Sequence, residues 1–360
     1  MELELKENLK SNRGGFKMTD KINWDLVKSY EKDGEMDLSI GNLYGYPEFL
    51  NSKESVYAPG VELQPKWEIP DKVAICSAIV GAMQSKATNP NHPITVEEIR
   101  KEALEVCEAG AANVHIHVRD ENGINVMDLD KFHQVIDPIR EKYPEILVCG
   151  CLVPFVLGDW GRAEEAMKSG LVDQTPVNTV ASYIGDSLFA KAPHSIIRKA
   201  ELCEKYDVKP QIAVYSDGDI DNARRYLIAP GVVRKPYYWI LLPGLVGTSP
   251  MYTPMSMVDV LMGYVRRIRE IDEDSRIMVC AGGRASSYLT TLAMLLGLNI
   301  RVGKEDTIWQ YPHKDDLIES SAEIYKRTVT IARALAREPA TPDEYVEMMG
   351  LRRKGGKVIA

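Results

Sequence analysis

At 360 residues and 45% hydrophobic composition, the chain can bury the core of one large domain or two modest ones. Its net charge of −8 argues against sequence-independent nucleic-acid binding, which needs a basic face. No apolar run approaches the roughly 18 residues of a membrane span. The opening "MELELKENLKSNRGGFKMTDK" has no signal-like apolar stretch, and the six cysteines lack zinc-finger or C-x-x-C spacing. The expectation is a cytoplasmic protein with reduced thiols, interacting with neither nucleic acid nor membrane.

Residues 1–70 carry scattered aromatics (Trp24, Tyr30, Tyr44, Tyr46, Tyr57) without periodicity. They read as an N-terminal extension that serves as an oligomer arm or covers the domain that follows. From Val73, short apolar runs alternate with amphipathic stretches. The runs are "VAICSAI" (73–79), "ANVHIHV" (112–118), "ILVCGCL" (146–152), "LVDQTPV" (171–177), "QIAVYS" (211–216), "YYWILLP" (237–243), "RIMVCAGG" (276–283) and "NIRVG" (299–303). Helical patterns separate them, the first opening on Thr95 with Glu98 as a capping box and ending at Gly110. Eight strand–helix pairs predict a (β/α)8 TIM barrel over residues 71–350. An open doubly wound sheet is the alternative, but no G-x-G-x-x-G follows the first run. A helix over about 314–338 would close the ring, "ATPDEYVEMMG" reads as a short capped helix, and 351–360 as a tail.

The chain has six histidines, and two of them, His115 and His117, sit on alternate positions of the second run. Residues two apart in a strand share a face, and a barrel keeps its chemistry at strand C-termini. Two imidazoles there suggest a divalent metal such as zinc; the bland reading makes one a core residue and the other a loop tether. A catalytic ion needs a third ligand and an open position. None of His92, His133, His194 or His313 ends a strand cleanly. The eighth run finishes "RVGKED", and in a closed barrel strand eight neighbours strand one, which neighbours strand two. Glu305 can therefore approach the pair; otherwise Glu305 and Asp306 are acidic residues capping the next helix.

"VHIHVRDENG" together with "IRVGKED" resembles the β-keto acid cleavage enzyme family, and the likeness runs in order from Val73 to Gly350. "AGGRASSYLTTLAMLLGLNIRVGKED" is similar to a late signature of that family and "AREPATPDEYVEMMGL" to its tail. The resemblance implies a zinc-containing (β/α)8 barrel that exchanges a β-keto acid and acetyl-CoA for acetoacetate and a new acyl-CoA. It implies one zinc ion per subunit, acetyl-CoA as co-substrate, and a homo-oligomer, tetramer or dimer. His115, His117 and Glu305 become metal ligands, and Arg301 and Asp306 catalytic residues. Those roles suit the chemistry: a Lewis acid stabilises the enolate formed when the C2 proton leaves. Asp306 is placed to take that proton, and Arg301 to stabilise oxyanions or position Asp306. The bland reading of Arg301 and Asp306 is an ion pair closing the barrel.

The chain departs from the family pattern where substrate would bind. Met83 and Ser216 stand where aminohexanoate-cleaving members have acids, with Asp217 one place off. Cys151 and Leu152 replace hydroxyl residues after the third run, Asn178 conforms, and Arg284 matches a Gly-Arg pair that could reach the CoA phosphates. Met83, Cys151, Asn178, Ser216 and Asp217 are therefore the expected substrate-binding set, with a substrate other than the aminohexanoate. Three other classes were weighed. An amidohydrolase-type hydrolase would need histidines ending strands five and six, and none lies between His194 and His313. A divergent metal-dependent carbon–carbon lyase or aldolase on the same barrel is the second, although aldolases carry the H-x-H late. The third is a metal-binding homologue without turnover.

Overall fold

The computed structural model describes residues 67–352, together with two short strands at Glu31–Lys32 and Glu35–Met36 that pair antiparallel. Residues Met1–Glu68 and Ile69–Ala360 form separate units. The role expected for residues 1–70 falls almost entirely outside the described residues, as does the end of the tail.

Eight short apolar segments pair in parallel and close on themselves. They are β1 (Ile75–Ala78), β2 (Asn113–Ile116), β3 (Leu147–Gly150) and β4 (Gln174–Asn178), followed by β5 (Lys209–Val214), β6 (Tyr238–Leu241), β7 (Arg276–Val279) and β8 (Asn299–Val302). The ring is sealed where Arg301 of β8 lies opposite Cys76 of β1, and Ala78 of β1 opposite His115 of β2. This is the (β/α)8 TIM barrel that the alternating runs predict.

The helices form by ordinary amphipathic logic. In α1 (Val96–Glu108), Val96, Ile99, Ala103 and Val106 recur on one buried stripe. Thr95 accepts from the Glu98 amide at 3.3 Å while the Glu98 carboxylate accepts from the Thr95 amide at 3.1 Å, which closes the expected capping box. In α2 (Leu129–Lys142), Pro138 cannot donate to the Gln134 carbonyl four residues back. Arg100 of α1 donates to that carbonyl instead, at 3.2 Å. The circuit continues through α3 (Asp159–Lys168), α4 (Pro193–Lys205), α5 (Asp217–Ala223), α6 (Pro254–Ile271) and α7 (Ser286–Leu295). It ends with α8 (Ser321–Ala334) and α9 (Pro342–Met349). Three details differ from expectation. The α8 helix starts at Ser321, not near 314. The helix after β5 passes into a π-helical turn at Arg224–Ile228. After β4 the chain makes an antiparallel hairpin, Ala181–Ile184 with Ser187–Ala190. Among the described residues no helix is long and apolar enough to cross a membrane.

The barrel lumen holds a polar thread. Tyr345 of α9 plugs its N-terminal end and shares a 3.1 Å hydrogen bond with the hydroxyl of Tyr238. Gln211 donates to that hydroxyl and to Gln174, both at 3.0 Å, and accepts from Cys149 at 3.1 Å. All five are buried, where polar groups need partners, and Gln174 Nε2 is left without one.

Outside the lumen at that same end, buried Arg337 donates to the carbonyls of Pro70 (2.8 Å), Lys72 (2.6 Å), Met294 (3.0 Å) and Leu298 (2.9 Å). One planar fork thus ties the entry of β1 to the end of α7. Lysine cannot span that set. Arg337→Lys should lower stability by about 2 kcal/mol or more, read as a lower denaturation midpoint with far-UV circular dichroism unchanged.

Candidate active site at the C-terminal mouth of the barrel

His115 is the third residue of β2 and points into the lumen; His117 follows just past the strand end. Their rings stand 5.1 Å apart at 70°. The backbone then turns at Asp120–Gly123, where the Asp120 carboxylate accepts from the amides of Asn122 and Ile124, and a short ribbon brings Asn125 back beside Arg119. Buried Arg119 donates to the carbonyls of Gly81 and Gly123 at 2.8 and 3.1 Å, locking the loops after β1 and β2 together.

Glu305 arrives from the other side. The chain leaves β8 through Gly303, at φ +145°, where a Cβ would fall 2.0 Å from the Ala78 carbonyl oxygen. Glycine is required for so close a crossing over β1. Gly81, at φ +63°, leaves space for the Glu305 side chain, whose Cγ would sit 2.4 Å from a Cβ there. The Glu305 carboxylate then lies 3.3 Å from His115 Nε2 and 3.5 Å from His117 Nε2. Arg301 donates to Glu305 at 3.1 Å and grips Asp306 through two contacts, the Nε one at 3.2 Å.

Hydrogen-bond partners fix both imidazoles. The Cys149 thiol donates to Gln211, so its sulfur accepts from His115 Nδ1 at 2.9 Å. His117 Nδ1 donates to Asn125 Oδ1 at 2.7 Å. Each ring therefore turns the Nε2 lone pair toward Glu305. His117 Nε2 and Glu305 Oε2 are buried without a hydrogen-bond partner. The Cys151 sulfur and a nitrogen of each imidazole lie within 4.8 Å of one another.

The electrostatics show what the cluster lacks. Burial disfavours charge on His115, but Glu305 and Cys149 outweigh it and raise its pKa well above the usual imidazole range. Burial likewise opposes the charge on His117, yet Cys151 and Glu305 bring it to about 10. Burial favours the neutral Cys151 thiol, but His117 and His115 bring it down to about 5. The pocket draws positive charge. A divalent cation meets that demand, because the imidazoles offer lone pairs once deprotonated. Two nitrogens and a carboxylate, with Cys151 beside them, make a donor set that suits a borderline ion such as zinc. Burial lifts Asp306 to about 6 against the pull of Arg301, a range suited to a base working near neutrality.

These groups close the inner end of a cavity of about 400 Å³. Met83, Cys151 and Asn178 line it; Ser216 and Asp217 do not. The inward set on β5 is Gln211, Ala213 and then Tyr215, so Ser216 falls on the other face and stands at the start of α5. Asp217 is paired with Arg267 at 3.1 Å. Tyr215, absent from the sequence-derived set, lines the cavity and accepts from Asn178 at 2.9 Å. The strand alternation was the signal that could have found it. Asn125 was likewise overlooked, although the Asp120–Gly123 turn implies a ribbon that returns it to His117. Arg284 lies off the cavity, stacked 3.9 Å over Trp309 and paired with Asp315.

The beta-keto acid cleavage enzyme family pattern matches residues 72–351. The 3-keto-5-aminohexanoate cleavage enzyme of Fusobacterium nucleatum is 31% identical over 287 residues, spanning 79% of this chain and 99% of its own. The 3-dehydrocarnitine:acetyl-CoA trimethylamine transferase of Rhizobium meliloti is 24% identical, spanning 76% of this chain and 94% of its own. Among solved structures, apo ObcA shares the fold at a TM-score of 0.59 and 19% identity, covering 73% of this chain and 66% of its own.

Gly303→Ala should cost about 2–4 kcal/mol or prevent folding, since neither β1 nor the loop carrying Glu305 can give way. A chemical denaturation midpoint equal to that of the parent chain would refute the crossing as drawn.

Proposed function

This chain belongs to the beta-keto acid cleavage enzyme family, and we propose that it is a divalent-metal-dependent transferase that converts a β-keto acid and acetyl-CoA to acetoacetate and a new acyl-CoA. It is an enzyme of β-keto acid cleavage and acyl transfer, as its relatives are. One observation carries the finer reading: His115, His117 and Glu305 converge from opposite edges of β1, leaving His117 Nε2 and Glu305 Oε2 buried and without a hydrogen bond.

His115, His117 and Glu305 would hold the ion, zinc by its donor set and one per subunit. When bound, it supplies Lewis acidity toward the ketone and carboxylate oxygens of the substrate. Asp306, held by Arg301, takes the C2 proton. The C2 carbanion bonds to the thioester carbon of acetyl-CoA, and the CoA thiolate leaves. That thiolate adds to the original ketone. The bond between C2 and the old acyl carbon then breaks, giving the new thioester and the acetoacetate carbanion, which recovers a proton from Asp306. Arg301 stabilises negative charge on the oxygens along the way. Met83, Cys151 and Asn178 make up the substrate wall together with Tyr215, which takes the place expected of Ser216 and Asp217. No cavity-lining acid stands where Met83 is, which argues against an ammonium-bearing substrate. Arg284, on the loop after β7, is the residue proposed for a CoA phosphate. A homo-oligomer, dimer or tetramer, belongs to the same proposal.

The test is to incubate the metal-loaded chain with acetyl-CoA and a panel of β-keto acids, scoring acetoacetate and new thioesters by mass. His115→Ala should lose both the ion and turnover. Asp306→Asn should keep the ion and lose about 10²–10⁴-fold in kcat. Full activity after exhaustive chelation, or in Asp306→Asn, would overturn the mechanism.

A further inference from the structure

The outer half of the cavity is built differently from the inner end. Its lining includes Phe155, Ile184, Leu188, Phe189, Leu242 and Leu245, with the neutral groups of Asn178, Ser187 and Tyr215 among them. Every ionisable carboxylate, guanidinium or imidazole in the lining belongs to the inner cluster of His115, His117, Arg301, Glu305 and Asp306. Phe155, Phe189 and Tyr215 form a continuous aromatic wall, with centroids 6.4 Å and then 5.6 Å apart. Phe155 and Leu188 stand 61% and 70% exposed at the rim, so an apolar group seated there would remove their surface from water.

Lys191 supplies the second argument. Its ammonium lies 4.4 Å from the Phe155 ring centre and 5.6 Å from that of Phe189. It donates to the Pro154 carbonyl at 2.8 Å. It lines a neighbouring cavity that shares Phe155 and Asn178 with this one. A positive charge already lies against the aromatic wall, which disfavours a second cation beside the same rings. Lys191 is not among the residues lining this cavity, so the apolar half presents no cation of its own to an anionic group.

We infer that the preferred substrate is a β-keto acid bearing an uncharged hydrocarbon group, branched alkyl or aryl, on its ketone carbon, with the hairpin residues Leu188 and Phe189 setting that preference. The inference rests on the β-keto acid cleavage reading: the oxygens of the acid stay at the ionic end, and the group that leaves as the new acyl-CoA fills the apolar half.

The experiment compares kcat/KM of the metal-loaded enzyme for matched 3-oxo acids whose chains end in isopropyl or phenyl, in an ammonium, or in a carboxylate. The neutral acids should lead by about 100-fold or more, since a charge moved into this wall finds no partner. Leu188→Glu, at the exposed rim, should reduce the neutral acids about tenfold and raise the ammonium acid. Binding is measured separately, on freshly prepared material, with 2,2-dimethyl-3-oxo acids, which have no C2 proton for Asp306 to take and so cannot enter the proposed cycle. Tight binding of the neutral dimethyl acid without turnover of its parent would overturn the catalytic reading and leave the substrate class standing. Turnover of charged acids at rates equal to the neutral ones overturns the substrate class and leaves the catalytic reading intact. Failure of every acid to bind or react overturns both.

Discussion

The guanidinium of Arg301 faces two carboxylates, Glu305 and Asp306, inside a nearly dry barrel mouth, and the rest of the site answers to that imbalance. Arg301 is 3% exposed and Asp306 7%. Burying a carboxylate without a compensating charge costs several kcal/mol, and one cation cannot compensate two anions fully. The imidazoles of His115 and His117 meet the remaining charge from the opposite side. Whether they do so as protonated rings or as lone pairs on a cation depends on what else enters. The substrate proposed here is itself an anion, and a divalent ion is the occupant that leaves room for its charge.

Holding that arrangement falls to glycines and to outer partners more than to the ionic groups. Glu305 reaches the histidines because Gly303 passes within contact of the β1 backbone and Gly81 leaves the space its methylenes fill. Tautomers are set at one further remove. Asn125 determines the orientation of His117; Cys149, through Gln211 and Tyr238, links His115 to Tyr345 at the opposite end of the barrel. A polar thread in a lumen otherwise filled by small and apolar side chains is expensive unless fully connected. Here hydrogen bonds run from Tyr345 through Tyr238, Gln211 and Cys149 to His115, with Gln174 Nε2 beside them left unpartnered, and their effect is to fix which nitrogen of His115 faces the mouth.

Much of this was legible in the residues, for identifiable reasons. Apolar runs at regular spacing report parallel strands buried on both faces, and barrel closure alone makes β8 a neighbour of β1, which is what placed Glu305 near the histidines. Registration was harder. Ser216 was expected from its place in the family pattern, whereas the alternation of side chains along β5 brings Tyr215 to the inward face. The hairpin at 181–190 has no strong alternation to mark it, and its turn, at Gly185 and Asp186, interrupts a stretch that could equally be loop. Residues 314–320 were expected at the start of a helix; in the structure that helix begins at Ser321 and the segment before it is irregular, pinned by a bridge between Trp309 and Leu317. The electrostatic roles of Cys149 and Cys151 could not have been assigned from spacing, because they depend on which face of β3 each occupies.

The two halves of the cavity do different work, and the chemistry explains why they meet. Deprotonation next to a carboxylate needs fixed charges that do not have to reorganise, and low local polarity strengthens them. That favours an ionic end sealed from water. The group on the ketone carbon takes no part in bond making, yet it is what distinguishes one β-keto acid from another, and contact with it can exclude water from the ionic end only if the surfaces match. An apolar wall does this for an apolar group, whereas a charged group would bring its hydration shell into the mouth. Substrate selection and protection of the charged cluster thus become the same event: the hydrocarbon that fits against Phe155, Phe189 and Tyr215 is also what closes the site over Arg301 and Asp306.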